Sequence, residues 1–421
     1  MARGRSLHTD RDVVSEDLLG RFDVAVVGAG LVGCAAALEL ARRNRRVIVL
    51  DQGEINRGAS GRNAGSLHFQ LEPRMLDVLV SEPERLAQLI PVNLQAIDDW
   101  KRLSADLGRD LGVRMKGGLL VAETEAQRDL LLRKADLEVR GGLAVQVLEG
   151  AEVRRAAPYL SDHIRCASFC AAEGHANPLL VTDAYAFAAR NHGVAFRLYQ
   201  RVWALERHRD EWRLRAHSQA MSPGEGGSRE AIAVDAGVVL IAAGAWSREI
   251  LGPLGVDIPL DAMALTMSAT ERTKPMIQHL IQHMGRPLSM KQVDAGNVLI
   301  GGGWPAHLPS GRLGPDPDTR LYEASLIGNA AAALHTLPAV GRLNILRSWS
   351  GIASVAKDQL PVLGAVTSLP GVFIAAGGSS FTLGPTYARL ISELICTETT
   401  SLPIDFYRPD RFDTRPHRMA G

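Results

Sequence analysis

The sequence predicts a mixed α/β and α+β protein, in which a Rossmann-like dinucleotide-binding domain is interleaved with a substrate domain built on an antiparallel sheet. Three observations support this fold class. A strand, a glycine-rich turn and a helix lie near the start of the chain, a second strand that ends in an acidic residue follows them, and another strand, loop and helix lie near the C-terminus. Two distant stretches of nucleotide-binding character imply that the chain between them inserts a further domain.

The first of these stretches is a predicted strand at residues 23–27 that runs into Gly28, Gly30 and Gly33, spaced as G-x-G-x-x-G. Gly28 permits the tight turn, and Gly30 lets the backbone approach a pyrophosphate. Gly33 lets the helix predicted at residues 31–41 pack closely on the strand. The start of that helix offers unpaired N–H groups and the positive end of its dipole. Together these features predict a dinucleotide site.

The next elements extend this prediction along the nucleotide. A strand at residues 46–50 ends in Asp51, close to the distance of about 20 residues at which an acid is expected to bind the ribose hydroxyls. The loop at residues 57–67, RGASGRNAGSL, then combines small side chains with hydroxyl and amide groups. Such a loop can approach a second part of a ligand, or it is an ordinary polar surface loop.

Composition argues against several classes of protein. The 421 residues include 47 Lys and Arg against 46 Asp and Glu, so no charge excess favours nucleic acid or an acidic membrane as the main partner. The four cysteines lack metal-ligand spacing and are expected to be reduced, buried thiols of a cytoplasmic protein: Cys34, Cys166, Cys170 and Cys396. Residues 1–20 predict a disordered polar tail, and no apolar run is long enough to span a bilayer.

The middle of the chain carries alternating helix and strand signals. A helix is predicted at residues 84–107, although Pro91 should kink it or start it afresh. The other predicted elements are helices at 125–140 and 177–191, strands at 118–123, 144–148, 194–206, 211–217 and 236–242, and a loop at 221–230. The last strand stops at Ala243, Gly244, Ala245 and Trp246. This pattern is typical of a strand end lying over the dinucleotide, or of a plain strand-to-turn junction.

The second nucleotide-binding stretch lies near the C-terminus. Residues 371–376 predict a strand, residues 377–383 a flexible polar loop, and residues 384–395 a helix with Pro385 in its first turn. If this helix meets the cofactor, its dipole would stabilise negative charge on a reduced flavin ring, whereas a nicotinamide loses its charge on reduction. The pattern therefore suits a flavin better than a nicotinamide.

Four sequence blocks, taken in order, resemble a known family: GAGLVG, GASGRNAG, AAGAW, and RSWSGIASVAKDQLPVLG leading to GVFIAAGGSSFTLGPTYARL. Over residues 22–400 the chain is similar to the D-amino-acid oxidase family (DAO, DadA-like) of FAD-dependent oxidoreductases. Within it the chain resembles the flavin-bearing β subunits of sarcosine oxidase, hydrogen cyanide synthase and the opine and hydroxyproline dehydrogenases. The resemblance implies a GR2-type FAD-binding domain and oxidation of the C–N bond of an amine or amino acid.

The resemblance also implies roles for individual residues. Those expected to contact FAD are Gly28, Ala29, Gly30, Leu31, Gly33, Asp51, Gln52, Ala59, Ser60, Asn63, Ala64, Gly65, Ser66, Val202, Ala243, Gly244, Trp246, Gly378, Ser379, Ser380, Phe381, Thr382 and Leu383. Those expected to line the substrate pocket, unless they are structural, are His68, Lys291, Trp304, Trp349 and Phe381. Residues 288–304, LSMKQVDAGNVLIGGGW, are similar to the strand pair that covers the flavin in the β subunits.

Two positions depart from the family pattern. Ala353 stands where glycine oxidase and related members have an arginine that holds the substrate carboxylate. This argues against a plain glycine or D-amino-acid site, unless another cation such as Lys291 or Lys357 replaces the arginine. Both lysines are otherwise expected to be solvent-facing charges. No cysteine lies near Gly351, where covalently flavinylated members carry the flavin-linked cysteine, so FAD is expected to be noncovalent.

The expected chemistry needs few catalytic side chains. Hydride transfer from substrate carbon to flavin N5, followed by imine hydrolysis, requires a neutral amine, its orientation and the exclusion of water. No catalytic residue and no metal site are therefore assigned. The alternatives are a flavoprotein that oxidises a 2-hydroxy acid, a subunit whose flavin only relays electrons within a complex, and a nicotinamide dehydrogenase.

The predicted organisation is discontinuous. An FAD-binding domain comprises residues 21–75, 150–245 and 336–400, a substrate domain comprises 76–149 and 246–335, and 401–421 form a C-terminal tail. The family resemblance allows a larger α subunit and a small ferredoxin-like subunit as partners. Since the chain has no iron–sulfur cysteine cluster of its own, such a cluster would belong to a separate chain.

Overall fold

The computed structural model describes residues 16–219, 231–310, 313–314 and 316–412. Its two eight-stranded sheets and the helices between them confirm the predicted mixed α/β and α+β class. The loop predicted at 221–230 and most of the predicted tail at 1–20 lie outside the described residues. Within the described ranges, no helix is long and apolar enough to cross a membrane.

The secondary structure has the following bounds. The strands are β1 Glu16–Val27, β2 Val47–Leu50, β3 Ser66–Leu67, β4 Gly118–Ala122, β5 Gln146–Glu149, β6 Cys166–Cys170, β7 Gly174–His175, β8 Ala195–Arg197, β9 Gln200–His208, β10 Glu211–Ser218, β11 Ala231–Ile241, β12 Leu260–Arg272, β13 Leu280–His283, β14 Ser289–Gln292, β15 Asn297–Gly301, β16 Ala306–His307, β17 Arg320–Leu321, β18 Ile345–Ala356, β19 Val362–Ala365 and β20 Val372–Ala376. The helices are α1 Leu31–Arg42, α2 Ala59–Arg62, α3 Leu76–Ser81, α4 Pro83–Ala87, α5 Ile90–Asp106, α6 Glu125–Arg140, α7 Ala151–Ala156, α8 Pro178–Asn191, α9 Ser247–Leu251, α10 Glu323–Thr336 and α11 Gly384–Thr397.

The helix predicted at residues 84–107 is divided in two. α4 ends at Ala87, and α5 begins at Ile90 with Pro91 in its first turn. A proline at the start of a helix leaves no hydrogen bond unmade, because the first-turn N–H groups have no partner within the helix. Pro91 therefore starts a new helix, which is one of the two predicted outcomes.

The first sheet is built around β1, which pairs in parallel with β2 on one side and with β11 on the other. β20 extends the parallel order beyond β11, and β8 extends it beyond β2. β19 and the β9–β10 hairpin add antiparallel strands. Because the central strands are parallel, their carboxyl ends lie at one edge, which is where open α/β sheets bind ligands.

Both faces of β1 are buried from Val24 to Val27, as expected for a parallel strand. Val24 and Val26 pack in the cluster that also contains α1, α8 and α11. The alternate residues, Ala25 and Val27, pack in the cluster that contains the β9–β10 hairpin. This continuous apolar run explains why the sequence signal of the strand was strong.

The second sheet has the order β18-β12-β15-β14-β13-β4-β6-β5 and is antiparallel except where β4 meets β13. One face packs against α10 through residues such as Met290 and Ile300. The alternate residues of β14, Ser289 and Lys291, lie on the opposite face. Lys291 Nζ donates a hydrogen bond to Ser66 Oγ of β3 at 2.7 Å, so this face is turned toward the segment predicted to contact the cofactor.

Three predicted boundaries need correction. β6 lies within the range 150–245 assigned to the first domain, but it pairs with β4 and β5 of the second sheet. β18 lies within the range 336–400, but it pairs with β12 of the second sheet. β1 begins within the predicted tail, because its pairing with β11 starts at Glu16. Tyr407 is buried, so the described part of the predicted C-terminal tail packs on the protein.

A buried network of charged side chains holds the segment that follows β3. Glu173 accepts hydrogen bonds from the backbone N–H of Gln70 at 2.9 Å and from its side-chain Nε2 at 3.0 Å. Glu138 of α6 accepts from the N–H of Leu71 at 2.6 Å and from Lys134 Nζ at 2.7 Å. The side chains of Lys134 and Glu138 are fully buried. Because buried carboxylates require donors, these bonds fix the backbone at this point.

The Lys134→Met variant should lose about 3–5 kcal/mol of unfolding free energy, because Glu138 would keep a buried charge without its ammonium partner. The matched control is Lys101→Met, whose lysine pairs with Asp98 on the surface and whose loss should change stability little. Urea unfolding followed by circular dichroism measures both variants. Equally small losses would contradict the structural role given to the network.

Candidate functional site

The carboxyl ends of the parallel strands open into a cavity of about 750 Å³. One end lies between the turn after β2 and the β9–β10 hairpin, and it is lined by polar groups such as Asp51, Gln200 and Arg201. The other end reaches β18 and the loop after β20, where Ala353 and Phe381 line it. A long cavity at this edge of a parallel sheet is the place expected for a dinucleotide.

The glycine turn forms the floor of this cavity. Gly28 turns the chain after β1 with a φ of +116°, and a Cβ built there would overlap the carbonyl oxygen of Ala242, which follows β11. A Cβ at Gly33 would overlap the carbonyl oxygen of Gly28, so this glycine lets α1 pack closely on the turn. Gly30 is the N-cap of α1 and has no side chain to cap it, which leaves the first turn of the helix beside the cavity. Within this turn the N–H of Leu31 donates to Ser60 Oγ at 2.9 Å. The binding of a pyrophosphate at the start of α1 stays a prediction.

Asp51 fixes the glycine turn to the end of β2. Its Oδ2 accepts a hydrogen bond from the N–H of Ala29 at 2.6 Å, and its Oδ1 accepts one from the N–H of Gly53 at 2.8 Å. Burial raises the pKa of Asp51, and these two backbone N–H groups oppose that rise. The carboxylate still lines the cavity, so its predicted contact with a ribose stays a prediction.

Most residues predicted to contact the cofactor line this cavity: Gly28, Ala29, Gly30, Leu31, Asp51, Gln52, Ala59, Ser60, Asn63, Val202, Ala243, Gly244, Trp246, Gly378, Ser380 and Phe381. The others lie outside its lining: Gly33, Ala64, Gly65, Ser66, Ser379, Thr382 and Leu383. Two contacts explain this difference. A Cβ at Gly65 would overlap the carbonyl oxygen of Ala176, and Thr382 Oγ1 donates to the carbonyl oxygen of Ser66 at 3.2 Å. These residues hold the loops together beside the cavity.

Of the three aromatic residues predicted for the substrate pocket, one lines the cavity and two do not. Phe381 lines the cavity. Trp349 does not, but its Nε1–H donates to the carbonyl oxygen of Arg62, a lining residue, at 2.8 Å. Trp304 does not line the cavity, and its ring packs on Gly328 of α10, which fits the structural alternative. The two glycines that precede Trp304, Gly302 and Gly303, have positive φ.

His68 and Lys291 are joined by two serines in a chain of hydrogen bonds. Lys291 Nζ donates to Ser66 Oγ, whose oxygen lies 3.4 Å from Ser289 Oγ, and Ser289 Oγ lies 3.1 Å from His68 Nε2. Burial lowers the pKa of Lys291 to about 7 and that of His68 to about 4. The expectation of a solvent-facing lysine is right for Lys357, which is exposed, and wrong for Lys291, which is buried.

Arg62 of α2 is a lining residue that the sequence analysis does not single out. It lies against β18, since a Cβ built at Gly351 would be 3.0 Å from Arg62 Cβ. Its guanidinium pairs with Asp316 at 3.5 Å, and the side chain of Asp316 is 74% exposed. Exposed ion pairs are weak, so a ligand anion can replace Asp316. The only sequence signal was a cation inside the small-residue loop GASGRNAG.

The cysteines lie outside this cavity, and the described residues include no candidate metal site. None of the four cysteines lines the cavity; Cys34, Cys166 and Cys170 are buried, and Cys396 is partly buried. Burial raises the pKa of Cys166 to about 11, so its thiol stays protonated. In the part of the chain that the structure describes, no group of three or more His, Cys, Asp or Glu side chains could hold a metal ion.

Comparison with known proteins agrees with this geometry. The family described as FAD dependent oxidoreductase (DAO) matches residues 23–394. An opine oxidase subunit of Rhizobium meliloti is 25% identical over 397 residues, which cover 93% of this chain and 98% of the relative. Glycine oxidase of Geobacillus kaustophilus (strain HTA426) is 26% identical over 392 residues, which cover 91% of this chain and 95% of the relative. The crystal structure of glycine oxidase from Geobacillus kaustophilus superposes with a TM-score of 0.77 at 24% identity, covering 93% of this chain and 99% of that one.

Gly28→Ala should abolish retention of a flavin, because the new Cβ would overlap the carbonyl oxygen of Ala242 and separate β1 from β11 at the turn. Gly20→Ala is the matched control. Gly20 also has a positive φ, of +107°, but nothing lies within 4 Å of a Cβ built there, so the change adds only about 1 kcal/mol of backbone strain. Flavin absorbance per copurified chain measures both. A Gly28→Ala protein with full flavin content would contradict the close approach.

Proposed function

The chain belongs to the DAO family of FAD-dependent oxidoreductases, and from this premise we propose that it oxidises a carbon–nitrogen bond in a secondary amine or amino acid of the opine, sarcosine or imino-acid type. FAD is the cofactor. One observation carries the proposal. A single cavity joins the glycine cradle after β1 to the substrate-side residues Arg62, Ala353 and Phe381, so a dinucleotide and a small substrate would share one space.

We infer the orientation of FAD from the chemistry of the lining. The adenosine would bind near Asp51 and Val202, the pyrophosphate at the start of α1, and the ring between Asn63 and Phe381. The glycine at the N-cap supports this fit, because Gly30 adds no side chain between the cavity and the start of α1. Since no cysteine lines the cavity, binding would be noncovalent.

When bound, FAD supplies the acceptor for a hydride from the carbon next to the substrate nitrogen. The protein would contribute orientation and exclusion of water. The ring of Phe381 gives an apolar wall, and it is held in place by Trp100, whose ring centroid lies 5.5 Å away. Trp100 Nε1–H also donates to the carbonyl oxygen of Thr382 at 2.6 Å, which fixes the loop that carries Phe381. The oxidised substrate is then hydrolysed by water.

Two neighbouring side chains support the proposed substrate class. Ala353 is small and lines the cavity, which leaves space where the family pattern has an arginine. Arg62 lies on the same side of the cavity and would hold the substrate carboxylate. The similarity to a protein named as an opine oxidase subunit supports an N-substituted amino acid, whose substituent would occupy the space at Ala353.

We also propose that the chain works in a complex. The relative from Rhizobium meliloti is named as a subunit, and the alignment covers nearly all of it. A larger α subunit and a small ferredoxin-like subunit would receive the electrons. Copurification from the native cells should recover such partners, whereas a stable, active monomer would contradict this part of the proposal.

The activity is tested by an anaerobic absorbance titration of the purified chain with sarcosine, proline isomers, opines, D-amino acids and 2-hydroxy acids. Bleaching of the flavin band by secondary amines or N-substituted amino acids is the expected result. Bleaching by 2-hydroxy acids alone would replace the proposal with the hydroxy-acid alternative. A flavin band that no compound bleaches would favour an electron-relay subunit.

Arg62→Gln should weaken the binding of carboxylate ligands by at least about tenfold, because a charge-assisted hydrogen bond is lost. The matched control is Arg57→Gln, which removes a cation that lines the cavity beside Gly53, at the adenosine end. The shift of the flavin spectrum on titration with a carboxylate inhibitor measures the dissociation constant for both flavin-loaded variants. An unchanged constant in Arg62→Gln, or an equal loss in the two variants, would exclude Arg62 as the anchor.

A further inference from the structure

A buried polar cluster lies where the second sheet meets the cofactor-binding loops, and it consists of Ser66, His68, Ser289 and Lys291. Its hydrogen bonds form one continuous chain of 2.7, 3.4 and 3.1 Å from Lys291 Nζ through the two serine hydroxyls to His68 Nε2. At the other side of the imidazole ring, Nδ1 is buried and makes no hydrogen bond within the described part of the protein. The chain thus ends in an unpartnered nitrogen that can accept a proton.

The cluster borders the proposed ring site. Thr382 Oγ1 donates to the carbonyl oxygen of Ser66 at 3.2 Å and accepts from the N–H of His68 at 3.4 Å. Thr382 directly follows Phe381, which lines the main cavity. His68 also lines a small cavity of about 10 Å³, which shares Gly378 with the main one. His68 therefore adjoins the main cavity through a shared residue, although it is not itself part of that cavity's lining.

Lys291 is an unusual residue to find at the end of a buried chain of hydrogen bonds. Its side chain is only 2% exposed, and a hydrogen bond to Ser66 is its only polar contact in the described ranges, where no acidic side chain pairs with it. A buried lysine without a counter-charge loses its proton easily, and burial lowers the pKa of Lys291 to about 7. It can therefore change its protonation state near neutral pH.

The charged and titratable groups around the cluster do not prevent Lys291 from changing its protonation state near neutral pH. His175 of β7 pairs with Ser66 in the β3–β7 ladder, and burial lowers its pKa to about 4, so it is neutral at pH 7. Asp294, in the turn after β14, pairs with Arg114 at 2.6 Å. On the side of His68, Glu72 pairs with Arg74 at 3.1 Å. Lys116 is exposed.

We propose that Lys291 is the terminal acceptor of the proton that the substrate amine must lose before it is oxidised, and that Ser66, Ser289 and His68 carry the proton to it. The inference rests on the proposed function, because only a neutral amine can give up a hydride from its adjacent carbon. In this proposal His68 would receive the proton from the amine, and Lys291 acts through the other three residues.

The transfer balances as a movement of one proton and no electrons. The N–H bond of the substrate ammonium breaks, and a bond to His68 Nδ1 forms. His68 Nε2 passes its proton to Ser289, Ser289 passes its hydroxyl proton to Ser66, and Ser66 passes its own to the unprotonated Nζ of Lys291. The substrate becomes a neutral amine and Lys291 becomes an ammonium, which returns the proton along the same chain when the product leaves.

The sign of the pH dependence follows. Below about pH 7 the Nζ of Lys291 is already protonated and cannot accept a proton. Above about pH 7 Nζ is unprotonated and can accept the proton from the substrate. In the wild-type protein the rate of anaerobic flavin bleaching by the amine substrate should rise through this range. In Lys291→Met the rise near pH 7 should vanish and the rate at pH 7 should fall on the order of 100-fold. Above about pH 10 the two proteins should converge, because the substrate is then neutral without help.

Two further variants make the test specific. Ser66→Ala keeps the lysine and breaks the chain, so it should show the same loss near pH 7 even where Lys291→Met fails to fold. Lys116→Met is the matched control, since it removes an exposed lysine near His175, and it should keep the wild-type profile. Stopped-flow absorbance from pH 6 to 10 measures all four proteins.

A wild-type profile in Lys291→Met, or in Ser66→Ala, would overturn the relay. A uniform loss of rate at every pH in both variants would also overturn it, because that result marks a structural role. Failure of the proposed function gives a different result, in which the wild-type protein itself shows no bleaching by any amine at any pH.

Discussion

The turn at Gly28 passes so close to the carbonyl oxygen of Ala242 that no side chain fits between them, and the architecture of the site is organised by this contact. It sets the end of β1 against the end of β11, and Gly33 sets α1 against the same turn. The start of α1 and the carboxyl ends of the parallel strands then border one cavity. The cavity proposed to hold FAD is therefore shaped by packing within the protein, before any contact with the ligand.

A second set of contacts connects this cradle to the other sheet. Backbone N–H groups after β3 donate hydrogen bonds to the carboxylates of Glu138 and Glu173, and the N–H of His68 donates to Thr382 Oγ1. His68 is part of this held segment, and through two serines it reaches Lys291 on β14. Because buried polar groups need partners, these hydrogen bonds hold the two sheets together at one position. The same side chains form the proposed proton relay.

Local signals made part of this structure predictable. The glycine spacing, the β-branched strands and Pro385 each act within a few residues, so α1, α11 and their strands lie where the sequence predicts them. Sheet membership was not predictable for β6 and β18, since it depends on partners far away in the chain. The burial of Lys291 has the same origin: only the pairing of β14 shows that alternate residues of this strand face inward. For Trp304 the sequence left a pocket wall and a packing role open, because the direction of the chain after two glycines is not encoded locally.

The most direct test of amine oxidation at the bound FAD is a single-turnover, anaerobic measurement of flavin bleaching with an amine substrate that carries deuterium on the carbon next to nitrogen. If the protein breaks that carbon–hydrogen bond as proposed, the deuterated substrate will bleach the flavin band more slowly than the unlabelled one, and a carbonyl product will form in equal amount. Bleaching that occurs without a carbonyl product from the amine, or no bleaching with any amine, would contradict the account.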